Sequence, residues 1–146
     1  MQFALDSSVT LSWAFEDEVN AYSVAVRESL DVASAMVATV WPMEVANALL
    51  VAERRSRVTP TEAVQFLNDL ALLPIQVDLE AANRNPLHLM SMARTFRLTS
   101  YDAAYLDLAL RLGLPLATLD QPLRAAARSA GVPLYLEDSD MTLEAE

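Results

Sequence analysis

Four acidic residues stand out for where they sit: Asp6, Glu44, Asp102 and Asp120. Each lies beside an apolar, strand-like run or at a helix start, in the settings FALD-SSV, WPM-E-VANAL, TSY-D-AAYL and ATL-D-QPL. Carboxylates gathered at one place repel one another unless positive charge stands between them. Oxygen donors suit hard cations such as Mg²⁺ or Mn²⁺. An ion of that kind activates water and stabilises a leaving oxygen, so the chemistry open to these residues is metal-dependent cleavage of a phosphodiester. The expectation at this point is a metal-dependent nuclease.

Composition narrows the alternatives. The chain has 146 residues, of which 53% are apolar, enough for one domain with a real core. Without cysteine there is no disulfide, no thiolate nucleophile and no Cys-based zinc site. One histidine, His88, cannot supply a site that needs two imidazoles. The two glycines, Gly113 and Gly131, cannot build a G-x-G-x-x-G or Walker A loop. No apolar run approaches the ~20 residues of a membrane span, and the N-terminus has no basic region of the signal-peptide kind. A cytoplasmic protein with no membrane partner is expected.

A net charge of −10 at first argues against a nucleic-acid partner. Five of the negative charges, however, fall in the last ten residues (Glu137, Asp138, Asp140, Glu144, Glu146), and four more are the acids above, which a metal would offset. All ten basic residues are arginine. Overall charge therefore decides little.

Positioning these acids is the task of the surrounding elements. Residues 2–6 read as a short buried strand ending on Asp6, followed by a helix from Ser7 to Trp13. Apolar residues at helical spacing predict a helix over 21–35, and Met36 to Val40 reads as the second strand. Trp41-Pro42 opens a helix to about Arg55, since proline suits a first turn. Thr59 and Glu62 have capping-box spacing, so 43–72 reads as an αα-hairpin. Residues 74–77 form the third strand. Leu79 to Arg97 is helical with a break near Pro86. A helix capped by Thr99 or Ser100 ends before Gly113. Pro115 to Thr118, Pro122 to Ala130 and Pro133 to Leu136 complete the series as strand, helix and fifth strand.

Such alternation means an α/β fold with a parallel sheet covered on both faces. Right-handed crossovers then gather the strand C-termini and the helix starts along one edge, where open sheets bind ligands. All four acids fall at that edge. Each also has an ordinary explanation. Asp6 and Asp120 could cap helices, Glu44 could complement a helix dipole, and Asp102 follows Thr99 at capping-box spacing. Those explanations do not account for four acids on one edge with no Lys or Arg beside them. Asp107, five residues past Asp102, faces elsewhere at ~100° per residue. His88, Trp13 and Trp41 read as surface or packing residues, although Trp13 could stack on a base.

The strings LDSSV, PMEVANAL, LTSYDAAYLDLA and LATLD, in this order and spacing, resemble the PIN-domain ribonucleases, in particular the VapC-type toxins of VapBC toxin–antitoxin pairs. The similarity runs from Phe3 to Tyr135. It implies a three-layer fold with about five parallel strands in the order 3-2-1-4-5, over residues 1–136, followed by an acidic, flexible tail over 137–146. Asp6, Glu44, Asp102 and Asp120 match the family's acidic metal ligands. Ser7, Asn47 and Thr118 match its supporting polar positions, whereas Asp107 departs from the pattern and inherits no role. The resemblance further implies Mg²⁺ or Mn²⁺, a homodimer, inhibition by a small VapB-type antitoxin and structured cellular RNA as substrate.

Oxygen-only ligation implies attack of water on the phosphodiester, leaving 5′-phosphate and 3′-hydroxyl ends. A haloacid-dehalogenase-like phosphatase is the competing enzyme, but it needs a second acid at position 8, which is serine, and a lysine, which is absent. A catalytically idle binding module is the competitor of another class. Leu49, Leu50, Val64, Leu67 and Leu70 of the hairpin predict that part of it forms an apolar groove for an antitoxin helix, the alternative being that all of it is core or dimer interface.

Overall fold

A computed structural model describes residues 1–137 and shows a four-stranded parallel sheet between two layers of helices. Strand β1 (Gln2–Leu5) lies at its centre, because Phe3, Ala4 and Leu5 are apolar and fully buried from both sides. Strands β2 (Ser34–Val37) and β4 (Leu116–Ala117) flank it, and β3 (Ile75–Val77) lies outside β2, giving the order β3-β2-β1-β4.

The two-residue period of a strand sorts the core into two sides. Phe3, Leu5, Ala35 and Val37 pack with Val9 of α1 (Ser7–Ser12) and with Tyr22 and Val26 of α2 (Ala21–Ser29). Ala4 and Leu116 face the other way, against Tyr105 and Leu106 of α6 (Ser100–Leu112) and Leu123 of α7 (Gln121–Ala130). Burial of each large apolar side chain contributes roughly 1.5–3 kcal/mol. A third, smaller core joins α3 (Trp41–Arg54) to α4 (Pro60–Ala71) through Val45, Leu49, Ala63 and Leu70. The Thr59–Glu62 capping box expected from spacing is formed in both directions. Before α5 (Pro86–Phe96) the chain makes a 3₁₀ turn over Leu79–Asn83, so the expected break near Pro86 is present.

The expected fifth strand is not formed. Leu134 makes one isolated parallel bridge to Leu116, where that strand would lie. Pro133 has no N–H to give a ladder, and Leu136 turns to φ 56, which ends the extended run. The segment is held by the two backbone bonds of that bridge, to the Pro133 carbonyl and from the Tyr135 N–H, and by side chains: Tyr135 stacks on Phe3 with ring centroids 3.9 Å apart, and Tyr22 donates to the Tyr135 carbonyl at 2.7 Å. The second strand also begins earlier than expected. Helix α2 ends at Ser29, whose hydroxyl turns back onto the Val26 carbonyl, and β2 starts at Ser34. Of the expected acidic tail only Glu137, paired with Arg128, is among the described residues. Among the described residues no helix is long and apolar enough to cross a membrane.

Candidate active site

Asp6 follows β1 directly and Asp120 lies three residues past the end of β4; the strands are parallel neighbours, with Leu5 opposite Ala117. Both acids thus emerge at the same sheet edge. Asp6 occupies the N-cap position of α1 but makes no capping bond with its side chain. Its Oδ2 instead accepts from Ser8 Oγ at 2.6 Å and from Thr118 Oγ1 at 2.7 Å. Each hydroxyl is fixed in turn by a backbone N–H of the loop after β4: Leu119 N–H donates to Ser8 Oγ, and Asp120 N–H donates to Thr118 Oγ1. The carboxylate is thereby locked to the neighbouring strand. Ser7 lies at the limit of a hydrogen bond to Asp6, 3.5 Å, and also reaches the Glu44 carboxyl.

Glu44 sits in the first turn of α3, behind Pro42. Trp41 anchors that turn by donating its indole N–H to Thr10 Oγ1 at 3.0 Å. The Glu44 carboxylate accepts from Tyr105 Oη at 2.6 Å, a short bond from a fully buried ring on α6. Asp102 lies one turn before Tyr105, on a helix capped by Thr99, whose hydroxyl accepts from Asp102 N–H. Asp120 caps α7 through Leu123 N–H at 3.0 Å, so its ordinary explanation as a capping residue also holds. Asn47 is exposed on α3, one turn beyond Glu44.

The four acids act on one another electrostatically. Burial lifts the Asp102 carboxyl to about 6, and the charges of Asp120, Asp6 and Glu44 add to the rise. Burial also raises Glu44, with Asp6 contributing, and raises Asp6, with Asp120 contributing. The oxygen-only donor set, carrying mutual repulsion, fits a hard divalent cation. Among the described residues no three acidic or histidine side chains are grouped closely enough to hold an ion as they stand. The acids share an electrostatic neighbourhood without forming a preset coordination cage.

Other candidates fall elsewhere. Trp13 donates its indole N–H to the Ser23 carbonyl and packs in the core. Asp107 is buried and receives two bonds from Arg84, at 2.8 and 2.9 Å, and one contact from His88 at 3.2 Å. Arg111, paired with Asp78, joins this group with its Nε 3.8 Å from Asp107 Oδ2. Asp107 therefore belongs to a charge network that ties α5 and the 3₁₀ turn to α6. Sequence reasoning missed three residues at the edge. Ser8 was legible in the doublet after Asp6, and Tyr105 stands one turn past Asp102. Arg124, four residues after Asp120, is buried with its guanidinium 5.2 Å from the Tyr22 ring and 3.5 Å from the Thr118 carbonyl.

A family model described as the PIN domain matches residues 3–129. Among solved structures, the crystal structure of PAE2754 from Pyrobaculum aerophilum is similar, with a TM-score of 0.66 and 24% sequence identity over 86% of this chain and 84% of that one. At that identity the likeness speaks to the fold. No curated protein matches the chain.

Proposed function

Since the chain belongs to the PIN-domain family, whose members are typically nucleases, we propose that it is an endoribonuclease dependent on Mg²⁺ or Mn²⁺. The observation that carries this reading is the mutual electrostatic coupling of Asp6, Glu44, Asp102 and Asp120 at one sheet edge. Asp6, Glu44 and Asp102 would hold the ion, with Asp120 completing the set. A bound Mg²⁺ or Mn²⁺ would supply Lewis-acid charge for attack of water on phosphorus and for departure of the 3′-oxygen. Ser8 and Thr118 keep Asp6 aimed, and Tyr105 holds Glu44 in one rotamer, with Ser7 between the two acids. The P–O3′ bond breaks and the products carry 5′-phosphate and 3′-hydroxyl ends. Incubation with total RNA and Mn²⁺, followed by mapping of new 5′ ends, tests this. Cleavage should vanish with EDTA and in Asp6→Asn and Asp102→Asn proteins that remain folded; cleavage that persists in both variants rejects the assignment.

The reading extends to the toxin of a toxin–antitoxin pair. Its support is an apolar pocket of about 360 Å³ between α3, α4 and β3, lined by Trp41, Val45, Leu67, Leu70 and Ile75 among others. Leu49 and Leu70 of the expected groove are core residues, while Leu50, Val64 and Leu67 are exposed. An antitoxin helix would lay its apolar face there. Leu67→Glu and Val64→Glu should abolish capture of the protein encoded beside this one while leaving cleavage intact. A homodimer is supported by α5, none of whose residues is buried although Leu87 and Met90 are apolar. Light scattering should give twice the chain mass, and Leu87→Glu should halve it.

A further inference from the structure

We infer that Arg94, Arg97 and Tyr101 form the binding rim for a single RNA strand, an inference that rests on the nuclease reading above. A polyanion must be held beside four carboxylates, so cations near that edge are needed. Of the ten arginines, Arg57, Arg84, Arg111 and Arg128 are paired with acids, and Arg124 is buried. Among the described residues that leaves five without an ion pair. Arg27 stands in the last turn of α2, before the chain enters β2, and so belongs to the opposite sheet edge. Arg54 and Arg55 end α3, about 15 Å along its axis from Glu44 at 1.5 Å per residue. Arg94 and Arg97 close α5, just before the turn that delivers Asp102.

Arg97 shares a left-handed backbone with two other non-glycine residues, Ser56 and Leu136. It closes α5 in the left-handed region, with φ 57 and ψ 48. Glycine fills the same role at the ends of α6 and α7, where Gly113 and Gly131 have φ 65 and 78. The Arg97 side chain is exposed and has no acidic partner among the described residues, so the guanidinium is left for an anion. Tyr101, the residue before Asp102, is 59% exposed, whereas Ala103 and Tyr105 further along α6 are buried. An exposed aromatic ring that stands between Arg97 and Asp102 in the chain suits base stacking, which requires a base splayed out of a duplex.

The test follows cleavage of a labelled unstructured RNA oligonucleotide in Mn²⁺ at several salt concentrations, with anisotropy titration of the same RNA in EDTA and melting temperatures alongside. Arg97→Gly should keep the wild-type melting temperature, raise KM and Kd several-fold, and flatten the salt slope by about 0.7. Tyr101→Ala should raise both constants about tenfold, with Tyr101→Phe restoring them. Arg54→Ala should change neither. Wild-type KM and Kd in Arg97→Gly and Tyr101→Ala overturn the rim and leave the nuclease reading standing, as does equal affinity for duplex RNA. Wild-type protein that binds the RNA through these residues but never cleaves it overturns the nuclease reading alone. Protein that neither binds nor cleaves overturns both.

Discussion

Tyr105 donates its hydroxyl hydrogen to Glu44 across 2.6 Å, joining α6 to the first turn of α3. The ring is fully buried, so the bond is set by core packing and not by surface rotamers. It lowers the Glu44 carboxyl against burial, which raises it, and so favours the anion that a cation would need. Tyr105→Phe keeps the ring and removes only the oxygen. The expected stability loss is about 1 kcal/mol, the net worth of one hydrogen bond. The acid limb of the pH–rate profile should move to higher pH, because Glu44 then ionises later. An unmoved limb would mean that Tyr105 is packing and nothing more.

Asp102 gives the pH dependence its sign. Its carboxyl is raised from 3.8 to about 6 by burial and by three neighbouring anions. Between those values the folded chain binds more protons than the unfolded one, so stability without metal should fall as pH rises from about 4 to 6 and level off above. A divalent cation needs the ionised form. The rise in melting temperature produced by Mn²⁺ should therefore be small at pH 5 and larger at pH 7.5, and cleavage should switch on over the same range. Thermal melts at both pH values, with Mn²⁺ and with EDTA, measure this directly.

Two aspartates on one helix should respond in opposite ways to loss of charge. Asp102→Asn removes a repelled carboxylate, so at pH 7.5 in EDTA the variant should be at least as stable as wild type, yet inactive. Asp107→Asn removes, from a buried position, the carboxylate that accepts from Arg84, meets His88 and lies 3.8 Å from Arg111 Nε. Breaking a buried pair costs 3–5 kcal/mol in full; with Arg84 and His88, the closest partners, part-exposed, about 2–3 kcal/mol is expected. Cleavage per folded molecule should stay near wild type. Denaturant titration of both variants beside activity separates the two roles.

The contrast shows what a sequence can and cannot expose at this site. The edge positions of Asp6, Glu44, Asp102 and Asp120 were legible because each sits at a seam between apolar runs, where parallel topology fixes the side of the sheet. The hydroxyl that matters most beside Asp6 was not: Ser7 and Ser8 look alike in the chain, and only the register of β4 against β1 gives Ser8 its partner N–H. The Arg84–Asp107 pair spans 23 positions and depends on how α5 lies on α6, which no local pattern encodes. The failed fifth strand has a local cause, Pro133, whose missing donor limits the ladder to one bridge. The early start of β2 was hidden because residues 33–40 are nearly all apolar and carry no internal breaker.

Thr118 offers the sharpest probe of how Asp6 is held. Its hydroxyl is fully buried, donates to Asp6 Oδ2 at 2.7 Å and accepts from Asp120 N–H at 3.0 Å. One oxygen thus ties together the ends of β1 and β4 and two of the four acids. Thr118→Val preserves shape but leaves a part-buried N–H without its acceptor and a buried carboxylate with one donor fewer. Loss of about 2–3 kcal/mol follows from the unsatisfied donor and the weakened carboxylate contact. Asp6 should also become harder to ionise, since the lost bond opposed its burial. Mn²⁺ affinity, read from the shift in melting temperature against metal concentration, should drop at neutral pH and recover partly at higher pH. Thr118→Ser retains the oxygen and should keep near-wild-type metal affinity with a smaller stability loss. Equal metal affinity in the valine and serine variants would show that the hydroxyl supports the fold alone.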